Sequence, residues 1–117
     1  INENFIRCSF FELCSRYLSS CYTFAIEQNN SAGRSDFEMT GIPGTDYYKD
    51  DRLAEFKYFK AKEAERMLAL SDPRPEDVAQ VLAYAKDTKE KFPYYHVRSY
   101  IVYICANKGW KCWEVTP

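Results

Sequence analysis

The sequence predicts a mainly α, single-domain fold: an antiparallel bundle of three to four helices over residues 1–117, with its ends tied by disulfides. Three observations predict it. Apolar residues recur at three- and four-residue spacing through the first segment, as one face of a helix requires. Breaks at Ser71-Asp72-Pro73-Arg74-Pro75 and Phe92-Pro93 cut the remainder into helix-sized pieces. The five cysteines gather near the two ends of the chain and leave its middle bare.

The first helix is expected over residues 3–27, with Asn2 or Asn4 as its cap. Phe10, Cys14, Tyr17, Cys21 and Phe24 form its stripe, widened by Ile6 and Leu13. Residues 28–45 read as a loop punctuated by Gly33, Gly41, Pro43 and Gly44, long enough to be functional. Within it Asn29-Asn30-Ser31 is a glycosylation sequon at Asn29. The second helix is expected over 46–69, capped by Thr45 or Asp46, with Leu53, Phe56, Phe59, Ala64, Met67 and Leu68 as an imperfect apolar face. Lys57, Lys60, Lys62, Glu63, Glu65 and Arg66 supply its wet side.

Pro75 opens the third helix, with Glu76 and Asp77 in the first turn and Lys86, Lys89 and Lys91 toward the end. Acid first and base last is the order that the helix dipole favours. The segment after Pro93 supports two readings. Val97, Ile101, Ile104 and Cys105 fit a helix, which is the preferred one. The β-formers of 97–104, with a turn at Asn107-Lys108-Gly109 and a second strand at Trp110–Val115, fit a hairpin.

In one continuous first helix, Cys8 and Cys14 are about 9 Å apart along the axis, and Cys14 and Cys21 about 10 Å. A disulfide needs Cα atoms within about 7 Å. The N-terminal cysteines therefore reach only Cys105 or Cys112. An antiparallel last helix favours Cys14–Cys105 and Cys8–Cys112, with Cys21 a free thiol; the rival is a local Cys105–Cys112 bridge with all three N-terminal thiols free. Each end-to-end bridge closes a loop of about ninety residues or more and contributes about 4 kcal/mol. Such cross-linking predicts an oxidising compartment, secreted or periplasmic. Ile1 in place of Met favours a removed targeting peptide over a piece cut from something longer.

Charge narrows the function. Sixteen Lys plus Arg against seventeen Asp plus Glu leave no basic excess for nucleic acid. No apolar run is long enough to span a bilayer. No closely spaced metal-ligand pairs, phosphate loop or dinucleotide fingerprint occurs, so no catalytic residue, metal or cofactor is expected. The lone His96 reads as structural, and Asp50, Asp51 and Glu55 as a solvated helix start.

Aromatics make up 17% of the chain, more than a core of this size needs, and six stand near element ends: Tyr47, Tyr48, Tyr94, Tyr95, Trp110 and Trp113. They form the candidate interface of a non-enzymatic protein-binding module: an inhibitor or immunity-type protein, an effector or an accessory subunit. The alternative is a small apolar-ligand carrier with an aromatic-lined cavity between helices.

Overall fold

The computed structural model describes residues 3–26 and 37–117, with side chains from Ser9 onward in the first helix. Among the described residues, three helices and five strands follow in the order α1 (Glu3–Leu18), β1 (Tyr22–Ile26), β2 (Phe37–Gly41), β3 (Asp50–Phe59), α2 (Ala61–Leu68), α3 (Pro75–Lys91), β4 (His96–Cys105) and β5 (Gly109–Val115). The strands form one sheet in the order β1-β2-β3-β4-β5. The β3–β4 pair is parallel and the other pairs are antiparallel. The fold is mixed α/β, and the predicted helical bundle does not form.

Each departure has a local cause. The first helix ends at Leu18, and Tyr22, Phe24 and Ile26 then follow the two-residue alternation of a strand. The segment expected as one helix over 46–69 is β3 followed by the short α2. Leu53, Phe56 and Phe59 owe their three-residue spacing to a strand buried on both faces. After Pro93, β4 and β5 make an antiparallel hairpin, closing where Cys105 pairs with Gly109. Asn107 takes a positive φ of 54° in the turn, a conformation that Asn tolerates.

The sheet is covered on both sides. Under α1, Cys14 and Phe11 pack with Phe37, Phe56, Phe24 and Ala54. On the opposite face, Ala64, Met67 and Val81 of the other helices pack with Phe59, Ile101, Tyr103, Cys105 and Val115. With one helix on one side and two on the other, the interhelical cavity of a ligand carrier has no bundle to form in.

The placement of the thiols follows from these layers. Cys14, Cys21, Cys105 and Cys112 are free. Cys14 is buried beneath α1 and Cys105 in the cluster beneath α2 and α3, so the Cys14–Cys105 bridge does not form. Cys112 is exposed and unbridged, and the Cys8 side chain lies outside the described residues. These thiols behave as small apolar groups. The expected oxidising compartment rested on the bridges and loses that support.

The start of α3 is fastened to β4. The buried Tyr103 hydroxyl donates to the buried Asp77 carboxylate, and the Arg74 backbone N–H donates to the same hydroxyl at 2.9 Å. Arg74 Nε closes the network on Asp77 Oδ2 at 2.9 Å, with its guanidinium 5.0 Å from the Phe59 ring centroid. Trp113 packs edge-on against Tyr103 and donates its indole N–H to Ser71 O at 2.9 Å. Gly41 admits no side chain, because a Cβ there would lie 1.6 Å from Tyr47 O. Among the described residues no helix is long and apolar enough to cross a membrane.

Candidate active site

Strand alternation sends Asp51, Leu53, Glu55, Lys57 and Phe59 to the face of the sheet that α3 covers. Two of them form a charged pair: Lys57 Nζ lies 3.5 Å from Glu55 Oε1. The Glu55 side chain is 4% exposed and that of Lys57 27%. Glu55 sits opposite Ile101 in register, so its carboxylate is held in apolar surroundings with a cation at its open side. A buried carboxylate is costly without such compensation. The Lys57 ammonium keeps access to solvent while its stem crosses the sheet.

A second carboxyl group lies further back along β3. Glu38 on β2 pairs with Leu53, which sets its side chain beside Asp51. Tyr84 of α3 donates to Glu38 Oε1 at 3.1 Å. Asp51 is 1% exposed, and its Oδ1 is buried without a hydrogen-bond partner among the described residues. Burial, the hydrogen bond with Glu38 and the charges of Glu38 and Asp50 push the Asp51 carboxyl from 3.8 up to about 8. Asp51 therefore keeps its proton to a much higher pH than an ordinary carboxyl group does.

That shift sets a pH dependence. The folded chain holds the Asp51 proton more tightly than the unfolded chain does. The stabilisation is complete below about pH 4 and disappears as the pH rises through about 8. Asp51→Asn removes this loss, so its stability relative to wild type rises between pH 5 and pH 9. Urea midpoints of the two proteins at those pH values check it, and a constant difference between them contradicts the buried proton.

On the other face the chemistry is structural. Tyr22 donates to Asp50 Oδ2, and Arg52 Nε donates to it at 3.1 Å. Burial opposes ionisation of Asp50, but these donors and the Arg52 charge hold it below its usual value. Burial and Asp50 push the Tyr22 hydroxyl up to about 12.

The expected solvated helix start thus divides. Asp51 and Glu55 are buried strand residues, and Asp50 is tied to Arg52 and Tyr22. His96 is exposed at the start of β4, with its backbone N–H on Lys49 O at 2.7 Å. Tyr47 and Tyr48 are each 45% exposed, Tyr94 79% and Trp110 67%. Tyr95 packs on Phe92, and Trp113 belongs to the core. Asn29 lies outside the described residues.

Among protein families, the chain matches the PD-(D/E)XK nuclease superfamily over residues 1–114. The chain belongs to that superfamily. Comparison with curated proteins and with solved structures finds no match. Membership overturns the expectation of a non-enzymatic interaction module and points to an enzyme.

The second half of the superfamily signature, (D/E)-X-Lys, occurs twice in the chain, at Glu55-Phe56-Lys57 and Asp87-Thr88-Lys89. The geometry separates them. In a strand, residues two apart share a face, whereas in a helix they point in nearly opposite directions. Asp87 and Lys89 are exposed on α3, where Asp87 pairs with Lys91 at 3.2 Å. Only Glu55 and Lys57 act together on one face. The chain has no Pro-Asp dipeptide for the first half of the signature, and Asp36, just before β2, lies outside the described residues.

The donor set suits a hard divalent cation. Glu55, paired with Lys57 at 3.5 Å, offers a carboxylate donor, while Glu38 accepts from Tyr84 and the raised Asp51 carboxyl stands behind it on the same face. No group of three His, Cys, Asp or Glu side chains able to enclose an ion occurs among the described residues. Mg²⁺ does not require such a cage, since one or two carboxylates hold it together with water and substrate phosphate.

Proposed function

We propose that this protein is a divalent-cation-dependent nuclease that hydrolyses phosphodiester bonds at Glu55 and Lys57. The observation that carries the reading is the Glu55–Lys57 pair on one face of the central strand of a PD-(D/E)XK chain.

The buried Glu55 carboxylate would hold the cation. A bound Mg²⁺ supplies Lewis-acid polarisation of the phosphoryl group and lowers the pKa of water. Lys57 stands at the solvent side of that carboxylate. Its ammonium donates to the scissile phosphate or to the attacking water, and it stabilises the negative charge that builds in the transition state. The low-dielectric walls around Glu55 strengthen both effects.

The near-neutral charge of the chain is an average over all its faces. It limits long-range attraction to nucleic acid but leaves local phosphate contacts to individual cations. A purified preparation, incubated with end-labelled single- and double-stranded DNA and RNA, is expected to release shorter products with Mg²⁺ or Mn²⁺ and none with EDTA. Intact substrate in every cation condition overturns the proposal.

A further inference from the structure

We infer that the rings of Tyr47, Tyr48 and Tyr94, at the end of the sheet where β3 and β4 begin, form a stacking platform for an unpaired nucleic-acid strand. The inference names the substrate class of the nuclease site and rests on that reading. Tyr48 and Tyr94 are exposed on either side of Lys49, and the exposed Tyr47, next in the chain to Tyr48, packs its ring on Tyr22. The Lys49 ammonium is 5.6 Å from the Tyr48 ring centroid and 5.8 Å from that of Tyr94. Lys49 adopts a positive φ of 76°, a disfavoured conformation for a residue with a Cβ. The backbone is held there by the His96 N–H on Lys49 O.

Beside the rings opens a cavity of about 990 Å³, lined in part by Tyr47, Lys86, Lys89, His96 and Arg98. Asp50 on the same rim is engaged by Tyr22 and Arg52. Asp46, Glu90 and Glu114 also reach it, so net charge is not what selects the ligand. Exposed rings interleaved with cations match an unpaired strand, whose bases offer π-faces and whose phosphates meet the lysines and Arg98. A paired duplex hides its base faces and gains little from the rings.

β3 runs from Lys49 toward Glu55, about 20 Å at the rise of a strand. Asp51 and Leu53 between them are buried beneath α3, so the rings hold a strand at the end of the sheet and the face between them is not its path.

The test uses fluorescence anisotropy of a fluorescein-labelled oligothymidine and of a duplex of equal length, in EDTA so that nothing is cleaved. Base–ring stacking of at least about 1 kcal/mol for each of the two rings predicts about 30-fold or greater weakening of single-strand binding in the Tyr48→Ala/Tyr94→Ala protein. Duplex binding stays unchanged, and Tyr94→Trp retains single-strand affinity. Both alanine sites are exposed, and circular dichroism verifies the fold. The inference is overturned if wild type does not bind the oligothymidine, if the double variant binds it equally well, as a surface reserved for a protein partner would, or if both ligands weaken alike. Cleavage is assayed in parallel with Mg²⁺. Cleavage with ring-independent binding removes the platform and leaves the nuclease, whereas ring-dependent binding without cleavage removes the nuclease reading.

Discussion

Glu55→Gln is expected to lower kcat for cation-dependent cleavage by about 10³-fold while the protein stays folded. The substitution keeps volume and shape but removes the charge that holds the cation. Losing one preorganised electrostatic contact at a reacting centre costs about 10²- to 10³-fold, and losing the ionised cation donor belongs at the upper end. Stability should change little, because Gln keeps the volume and the Lys57 ammonium left behind, on a side chain 27% exposed, keeps access to water. Lys57→Met is expected to cost about 10²-fold, since the apolar stem still packs and only the ammonium is lost. Initial rates at saturating substrate, with Mg²⁺ titrated for each variant, measure both effects. Wild-type turnover by Glu55→Gln would remove Glu55 from the chemistry.

The second large effect is on stability. Asp77→Ala strips the acceptor from Tyr103 and Arg74 at the start of α3. Breaking a buried charged network from one side costs about 3–5 kcal/mol. The Arg74 side chain is 32% exposed, so water takes back part of its charge and the expected loss is about 3 kcal/mol. Tyr103→Phe, which leaves Asp77 with Arg74, is expected to cost about 1–3 kcal/mol. Urea unfolding gives both values, and a loss under 1 kcal/mol for Asp77→Ala, well below that range, shows that the network is not what anchors the helix. The anchor matters to the site because α3 carries Tyr84, which reaches Glu38.

The sequence made α3 legible and hid β3. Pro75, the acidic first turn and the terminal lysines mark α3 by chemistry that acts within single turns. β3 lacks the alternation of a half-buried strand because helices cover both faces of the sheet around it. Leu53 and Phe59 serve one face and Phe56 the other, so the sum of two alternating sets imitates a helical stripe. The site was lost with the strand. In a helix Glu55 and Lys57 diverge and look like surface charges, whereas in a strand they converge. The signal that was present is a Glu-X-Lys triplet inside an apolar run rich in Phe and Tyr. The cysteines misled for a related reason: helical spacing made cross-links to the far end of the chain necessary, but Cys14 and Cys105 are ordinary core residues in separate layers.

The parallel pairing of β3 with β4 fixes when the catalytic residues can work during synthesis. Glu55 and Lys57 leave the ribosome early, but the strand that walls them in emerges only after both intervening helices. Until then β3 is a bare sheet margin, and its carboxylate is hydrated in water. Non-local pairing of this kind waits on closure of the connecting segment. On the proposed function, a nascent or truncated chain lacking β4 is expected to be inactive, because Glu55 and Lys57 are walled in only once β4 pairs with β3.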